Sequence, residues 1–177
     1  MKKIAIIFLL SFFCLVSTKC LAQESGTFLK ISISQCKLWL FKDGKIFREY
    51  QVCTAKEKIV QQGKCPIGDG VVTKINTRPG WNPTAYTRWY LATKYHIYLP
   101  TDEIPYGHPL NYMGAFKIDL SHSVPGKGRV FRIHGLTAKT TNSIGKRESG
   151  GCTRMRNSEG LGLCDMISVG TPVKIIY

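Results

Sequence analysis

The sequence predicts one compact, mainly β domain of about eight strands with one or two short helices. Three observations carry this. Short runs that are alternating or rich in β-branched and aromatic residues recur along the chain. An Asp43-Gly44 pair separates two of these runs, a strong hairpin signal. A helix start is legible only after Asn157 or Ser158, and Gly160 and Gly162 weaken it. The 177 residues suffice for a domain with a sizeable core. No internal repeat or second domain is visible.

Taken in order, residues 28–33 read as a first strand, 37–41 as a second and 45–52 as a third, the last two joined by the Asp43-Gly44 turn. Trp39, Phe41, Phe47 and Tyr50 read as cross-strand packing pairs. Residues 54–64 are polar and read as a loop. Residues 65–70 form a turn, and 71–75 a strand. Between Arg78 and Tyr112, proline and glycine recur among Trp81, Tyr86, Trp89, Tyr90, Tyr95, Tyr98, Tyr106 and Tyr112. This predicts an aromatic loop system with a strand near 89–92, because the turn residues disfavour a long helix. Long loops of this kind usually serve function, and the rings are expected both to line a groove and to pack on the core. Residues 115–120 alternate cleanly. Val130-Phe131-Arg132-Ile133 is expected to deliver His134, a helix to run to about residue 167, and residues 173–177 to form a final buried strand.

The chain opens Met1-Lys2-Lys3, runs apolar from Ile4 to Val16 and reaches Cys20-Leu21-Ala22. A basic start, an apolar core and a small-residue cleavage site describe a signal peptide. The run falls short of the ~20 residues a membrane span needs. Residues 1–22 are therefore expected to be removed, placing 23–177 in the periplasm or cell envelope with no stable membrane span. The first 22 residues hold three lysines and no acid, so the net charge of +14 becomes +11 beyond them. Such a basic exported chain suits anionic wall polymers or membrane surfaces. Export and the absence of any nucleic-acid-binding motif argue against nucleic acid.

Seven cysteines are present, and Cys14 and Cys20 leave with the signal. Five remain, an odd number. In an oxidising compartment four are expected to pair, with Cys152 left over as the reactive thiol. The other four allow three pairings. Cys53–Cys65 is favoured because it closes a short loop, which leaves Cys36–Cys164. No Cys-x-x-Cys pair or His-Glu-x-x-His motif is present, so no metal or other cofactor is expected.

The most distinctive stretch is His134-Gly135, a polar spacer, and then Ser149-Gly150-Gly151-Cys152-Thr153-Arg154-Met155. The histidine stands at a strand end and the cysteine in a glycine-rich turn. A thiol is mostly protonated at neutral pH, with a pKa near ~8.5, and needs a base to become a nucleophile. His134 is placed to be that base. The amides of Gly151 and Cys152 are candidate donors for an oxyanion. A thioester formed on Cys152 is then resolved by water or by an amine.

These residues, with Ser143-Ile144-Gly145, resemble the signature of the L,D-transpeptidase catalytic domain family (the YkuD type). Pro66-Ile67-Gly68, the segment 111–114 and the closing Val169-Gly170-Thr171-Pro172-Val173 resemble further segments of that family. The resemblance implies a β-sandwich or barrel-like fold and action on peptidoglycan stem peptides. Cys152 would be the nucleophile and His134 the proton donor and acceptor. Gly151 would give an oxyanion amide, and Gly135 would orient His134 through the backbone. Ser149 and Arg154 would brace the loop or contact substrate, with bracing favoured for Ser149. The acyl acceptor would be an amine on a second stem or on a lipoprotein. An L,D-carboxypeptidase or amide hydrolase, and a non-catalytic wall-binding module, are the alternatives. Gly150 stands where the family usually carries histidine. His96, His108 and His122 are read as surface or packing residues.

Overall fold

The computed structural model describes residues 26–124 and 130–177. The expected signal peptide, residues 1–22, lies outside them, as does the end of the connector that precedes Val130.

The chain forms β1 (Thr27–Ser32), β2 (Lys37–Lys42), β3 (Lys45–Gln51), β4 (Thr54–Ala55), α1 (Glu57–Gln61), β5 (Gly68–Thr77), α2 (Ala85–Tyr95), β6 (Phe116–Leu120), β7 (Arg132–His134), β8 (Arg147–Ser149), β9 (Thr153–Arg154), α3 (Asn157–Cys164) and β10 (Pro172–Ile176). Eight strands make one sheet in the order β3-β2-β1-β10-β5-β6-β7-β9. The β1–β10 and β7–β9 pairs are parallel and the other pairs of this sheet antiparallel. Beyond β3, Cys53 bridges Arg154 of β9 through both backbone bonds, at 2.8 and 2.9 Å. The chain leaving one sheet edge therefore pairs with the opposite edge, and the sheet curls toward a barrel. Strands β4 and β8 pair alongside.

The first hairpin forms as expected, with Asp43 and Gly44 both at positive φ. Period-two alternation sends Phe116, Ile118 and Leu120 of β6 inward. They join Leu29, Ile31, Leu38, Leu40, Ile133, Met155, Leu163 and Val173 in one core. The excursion between β5 and β6 builds a smaller cluster from Trp81, Ile104 and Met113, packed by Leu91 and Leu99.

Several local expectations change, and β5 already begins at Gly68, inside the turn expected over 65–70. The strand expected near 89–92 is the middle of α2. Its prolines and glycines flank the helix instead of interrupting it: Thr84 caps the start by accepting a bond from the Thr87 amide at 3.1 Å, and His96 closes it in the left-handed conformation. The loop expected over 54–64 contains β4 and α1. The final helix stops at Cys164, three residues short of the expected end. No helix among the described residues is long and apolar enough to cross a membrane.

Candidate active site

Strands β6, β7 and β9 lie side by side, with Lys117 opposite His134 and His134 opposite Arg154. Ile133 and Met155 point into the core. Alternation then puts Lys117, His134 and Arg154 together on the other face. Cys152 directly precedes β9, two residues before Arg154. A parallel pairing of two very short strands thus sets the strand that ends in His134 beside the strand that follows Cys152, 18 positions on in sequence.

His134 is only 6% exposed although it faces away from the core. Its Nδ1 lies 2.9 Å from the Gly135 carbonyl. A carbonyl can only accept, so the neutral ring carries its hydrogen on Nδ1 and keeps Nε2 as the basic nitrogen. Burial above all, then the Arg154 guanidinium and more weakly that of Arg132, push the imidazole down to about 3, against the carbonyls of Gly135 and Met113. Arg132 is itself paired with Asp119 at 2.7 Å. The resting ring is neutral in a cationic setting.

One side chain holds this strand end. Asn157, at the start of α3, accepts from the amides of Ala115 at 3.1 Å and Leu136 at 3.0 Å, and donates to the Leu136 carbonyl at 3.0 Å. It ties the chain entering β6 to the chain leaving β7. Gly135 is required here by close approach: a Cβ would fall 2.1 Å from Asn157 Oδ1 and 2.8 Å from the Ala115 amide nitrogen. From the sequence, Asn157 or Ser158 is the expected helix cap; the cap is instead Arg156, and Asn157 serves as this staple. A cavity of about 360 Å³ opens beside the staple, lined in part by Tyr106, His108, Asn111, Leu136, Lys139 and Asn157.

The cysteine loop is held from the other side. Ser149 is buried, pairs with Ala55 and accepts from the Lys56 amide through its carbonyl at 3.1 Å. Its hydroxyl accepts from the Gly151 amide at 3.2 Å. Ser149 therefore braces the loop. The Gly151 amide, expected to be open to an oxyanion, is already engaged, and an oxyanion must share that hydrogen. Gly151 has φ +135°, a value open to glycine and strained for other residues. At Gly150 a Cβ meets no atom within 4 Å, so the position faces open space. Arg154 is half-buried on β9, locked through its backbone to Cys53.

Neither expected disulfide is formed among the described residues. The Cys36 sulfur instead contacts Thr54 Oγ1 at 3.4 Å, and that of Cys53 the Thr54 carbonyl at 3.8 Å. Cys164 is half-buried on α3, with burial and then Asp165 pushing its thiol up to about 11. Cys65, paired in the sequence reading with Cys53, lies against the loop of Cys152. Its sulfur is 3.9 Å from the Gly151 carbonyl, and burial and then Cys152 push its thiol up to about 11. Of the remaining histidines, His96 caps α2, His108 is exposed and accepts from the Leu110 amide, and His122 packs against the Gly68 carbonyl. No group of three or more metal-ligating side chains occurs among the described residues.

A family model for the L,D-transpeptidase catalytic domain matches residues 26–175. The chain is 42% identical over 98 residues to the probable L,D-transpeptidase ErfK/SrfK of Salmonella typhimurium, covering 55% of this chain and 28% of that protein. It is 40% identical over 105 residues to the Escherichia coli protein of the same name, covering 59% and 30%. The chain thus spans under a third of the length of these relatives. Its fold resembles the catalytic domain of the Enterococcus faecium L,D-transpeptidase, with TM-score 0.55 and 18% identity over 86% of this chain and 98% of that one. It also resembles an L,D-transpeptidase from Mycobacterium smegmatis, with TM-score 0.56 and 16% identity over 86% and 59%. With the paired strands that carry His134 and Cys152 in view, the family match over nearly the whole described chain places this protein in the L,D-transpeptidase catalytic domain family.

Proposed function

We propose that the chain is an exported cysteine acyltransferase that acts on peptidoglycan stem peptides. The observation that carries this reading is the β7–β9 register, which sets His134 beside Arg154 at the end of the strand that Cys152 precedes. The family match and the relatives named L,D-transpeptidase support it.

In this reading Cys152 Sγ attacks the stem carbonyl on the donor side of a terminal D-alanine. A buried neutral imidazole takes up a proton readily only when a negative charge forms beside it, because burial and the neighbouring guanidinium groups disfavour the isolated cation. Proton transfer from the thiol to His134 is thus coupled to the attack. The tetrahedral oxyanion is held by the amides of Cys152 and Gly151, the latter shared with Ser149. Collapse expels D-alanine, which takes its proton from His134, and leaves a thioester on Cys152. An amine from a second stem, or from a lipoprotein, displaces the thiol and completes the transfer. Arg154 and Lys117, flanking His134, supply positive charge for the carboxylates of the stem. Secretion to the periplasm or envelope follows from the reading of residues 1–22 as a signal peptide.

The test is a digest of purified tetrapeptide muropeptides, read by product mass with and without an added amine. Transfer gives amine-adduct masses and free D-alanine. D-alanine without an adduct converts the assignment to an L,D-carboxypeptidase. Binding to sacculi without turnover leaves a wall-binding module that keeps the fold.

A further inference from the structure

We infer that Cys65 and Cys152 form a reactive thiol pair, in which Cys65 captures the oxidised nucleophile as an intramolecular disulfide. Three observations converge on this pair. The Cys65 sulfur touches the carbonyl of Gly151, the residue bonded to Cys152, at 3.9 Å. The preceding residue lies on the same loop, with the Lys64 carbonyl 3.7 Å from where a Gly151 Cβ would stand. Cys152 also contributes, after burial, to pushing the Cys65 thiol up. The remaining cysteines are engaged elsewhere: Cys36 and Cys53 face Thr54, and Cys164 lies on α3. Proximity in the fold thus selects a pair that loop length did not suggest.

The chemistry needs an oxidant, and the relevant class is a hydroperoxide. The Cys152 thiolate attacks the peroxide oxygen. An S–O bond forms, the O–O bond breaks, and the leaving hydroxide takes up a proton to become water. The sulfur is oxidised by two electrons to a sulfenic acid. Cys65 then attacks that sulfur: the S–S bond forms, the S–O bond breaks, and the departing hydroxide takes the proton lost by the Cys65 thiol. Two thiols and one peroxide give one disulfide and two waters. The disulfide blocks the nucleophile, and a reducing dithiol restores it. Without a neighbouring thiol, the sulfenic acid goes on to the sulfinic acid, which dithiols do not reverse. Cys65 is buried and Cys152 half-buried, so peroxide meets Cys152 first.

The inference rests on Cys152 being the reactive thiol, but peptide mapping reads the pair without turnover, so the two can fail separately. The reduced protein is treated with hydrogen peroxide, alkylated and mapped by mass spectrometry, and its D-alanine release is assayed before and after dithiothreitol. The expected result is loss of two hydrogens, a cross-linked peptide pair containing Cys65 and Cys152, and activity that dithiothreitol restores. Cys65→Ser and Cys65→Ala should instead accumulate sulfinic acid on Cys152 and lose activity irreversibly. A cross-link between any other cysteines, or sulfinic acid on Cys152 in the unsubstituted protein at the rate seen in the variants, overturns the inference. Because the first mapping uses the unsubstituted chain, a folding defect in either variant does not remove the test.

Discussion

Asn157→Ala removes the side chain that ties the start of β6 to the end of β7. The Ala115 and Leu136 amides lose their acceptor at 3.1 and 3.0 Å, and the Leu136 carbonyl loses its donor at 3.0 Å. Each such bond contributes about 0.5–1.5 kcal/mol net. The three together amount to about 2–4 kcal/mol, reduced where water reaches the vacated groups. For a domain of this size that corresponds to a fall in Tm of roughly 5–15 °C. The bonds fix the backbone on either side of Gly135, so the His134 ring loses its position as well. A displacement near 1 Å costs about 100-fold in turnover, and the loss should fall on kcat more than on KM. Asn157→Asp keeps the acceptor for both amides and turns only the Leu136 contact repulsive, so it should be intermediate in both readouts. Thermal unfolding by circular dichroism and D-alanine release are the assays. An Asn157→Ala protein that melts within about 1 kcal/mol of its parent and turns over at the parental rate would refute the positioning role.

Three further outcomes are expected. His134 is held down to about 3, below the ~6.5 of an unfolded chain. The unfolded state therefore binds the extra proton first, so folding stability falls as pH drops from about 6.5 toward 3, by up to ~1.4 kcal/mol per pH unit. Melting curves of His134→Gln should be less steep over that window, and an identical slope would contradict the buried neutral ring. Gly151→Ala places a Cβ at φ +135° and 3.1 Å from the Phe131 ring, so it should lose about 1–3 kcal/mol in denaturant unfolding. Gly150→His restores the residue usual in the family, and since a Cβ there meets nothing within 4 Å, its unfolding midpoint should stay within ~0.5 kcal/mol of the parent.

The parts legible in the sequence are those that local chemistry decides. Asp43-Gly44 between two β-rich runs announces its hairpin, and alternation along 116–120 assigns each side chain a face. Helix α2 is hidden in a proline- and glycine-rich composition, yet Pro83 and Pro100 lie outside Ala85–Tyr95 and leave its backbone bonds intact, while Thr84 is itself a helix-start signal. The parallel β7–β9 pair is set by contacts no window of sequence contains. Motif resemblance singles out His134 as the partner of Cys152 but says nothing of this pairing, and the shared face of Lys117, His134 and Arg154 appears only with the register. The disulfide reading failed for the same reason. Cysteine count and loop length pointed to Cys53–Cys65, but the fold turns Cys53 toward Thr54 and lays Cys65 against Gly151. Asn157 bridges 42 residues to Ala115 and 21 to Leu136, and nothing local distinguishes it from an ordinary helix-start residue.

Cys152 is the proposed nucleophile, served by His134. D-alanine release from a purified tetrapeptide muropeptide, compared between the parent and Cys152→Ala, tests this most directly. Steady release is expected from the parent and none above background from the variant, with both proteins folded by circular dichroism. Release by Cys152→Ala at the parental rate would contradict it.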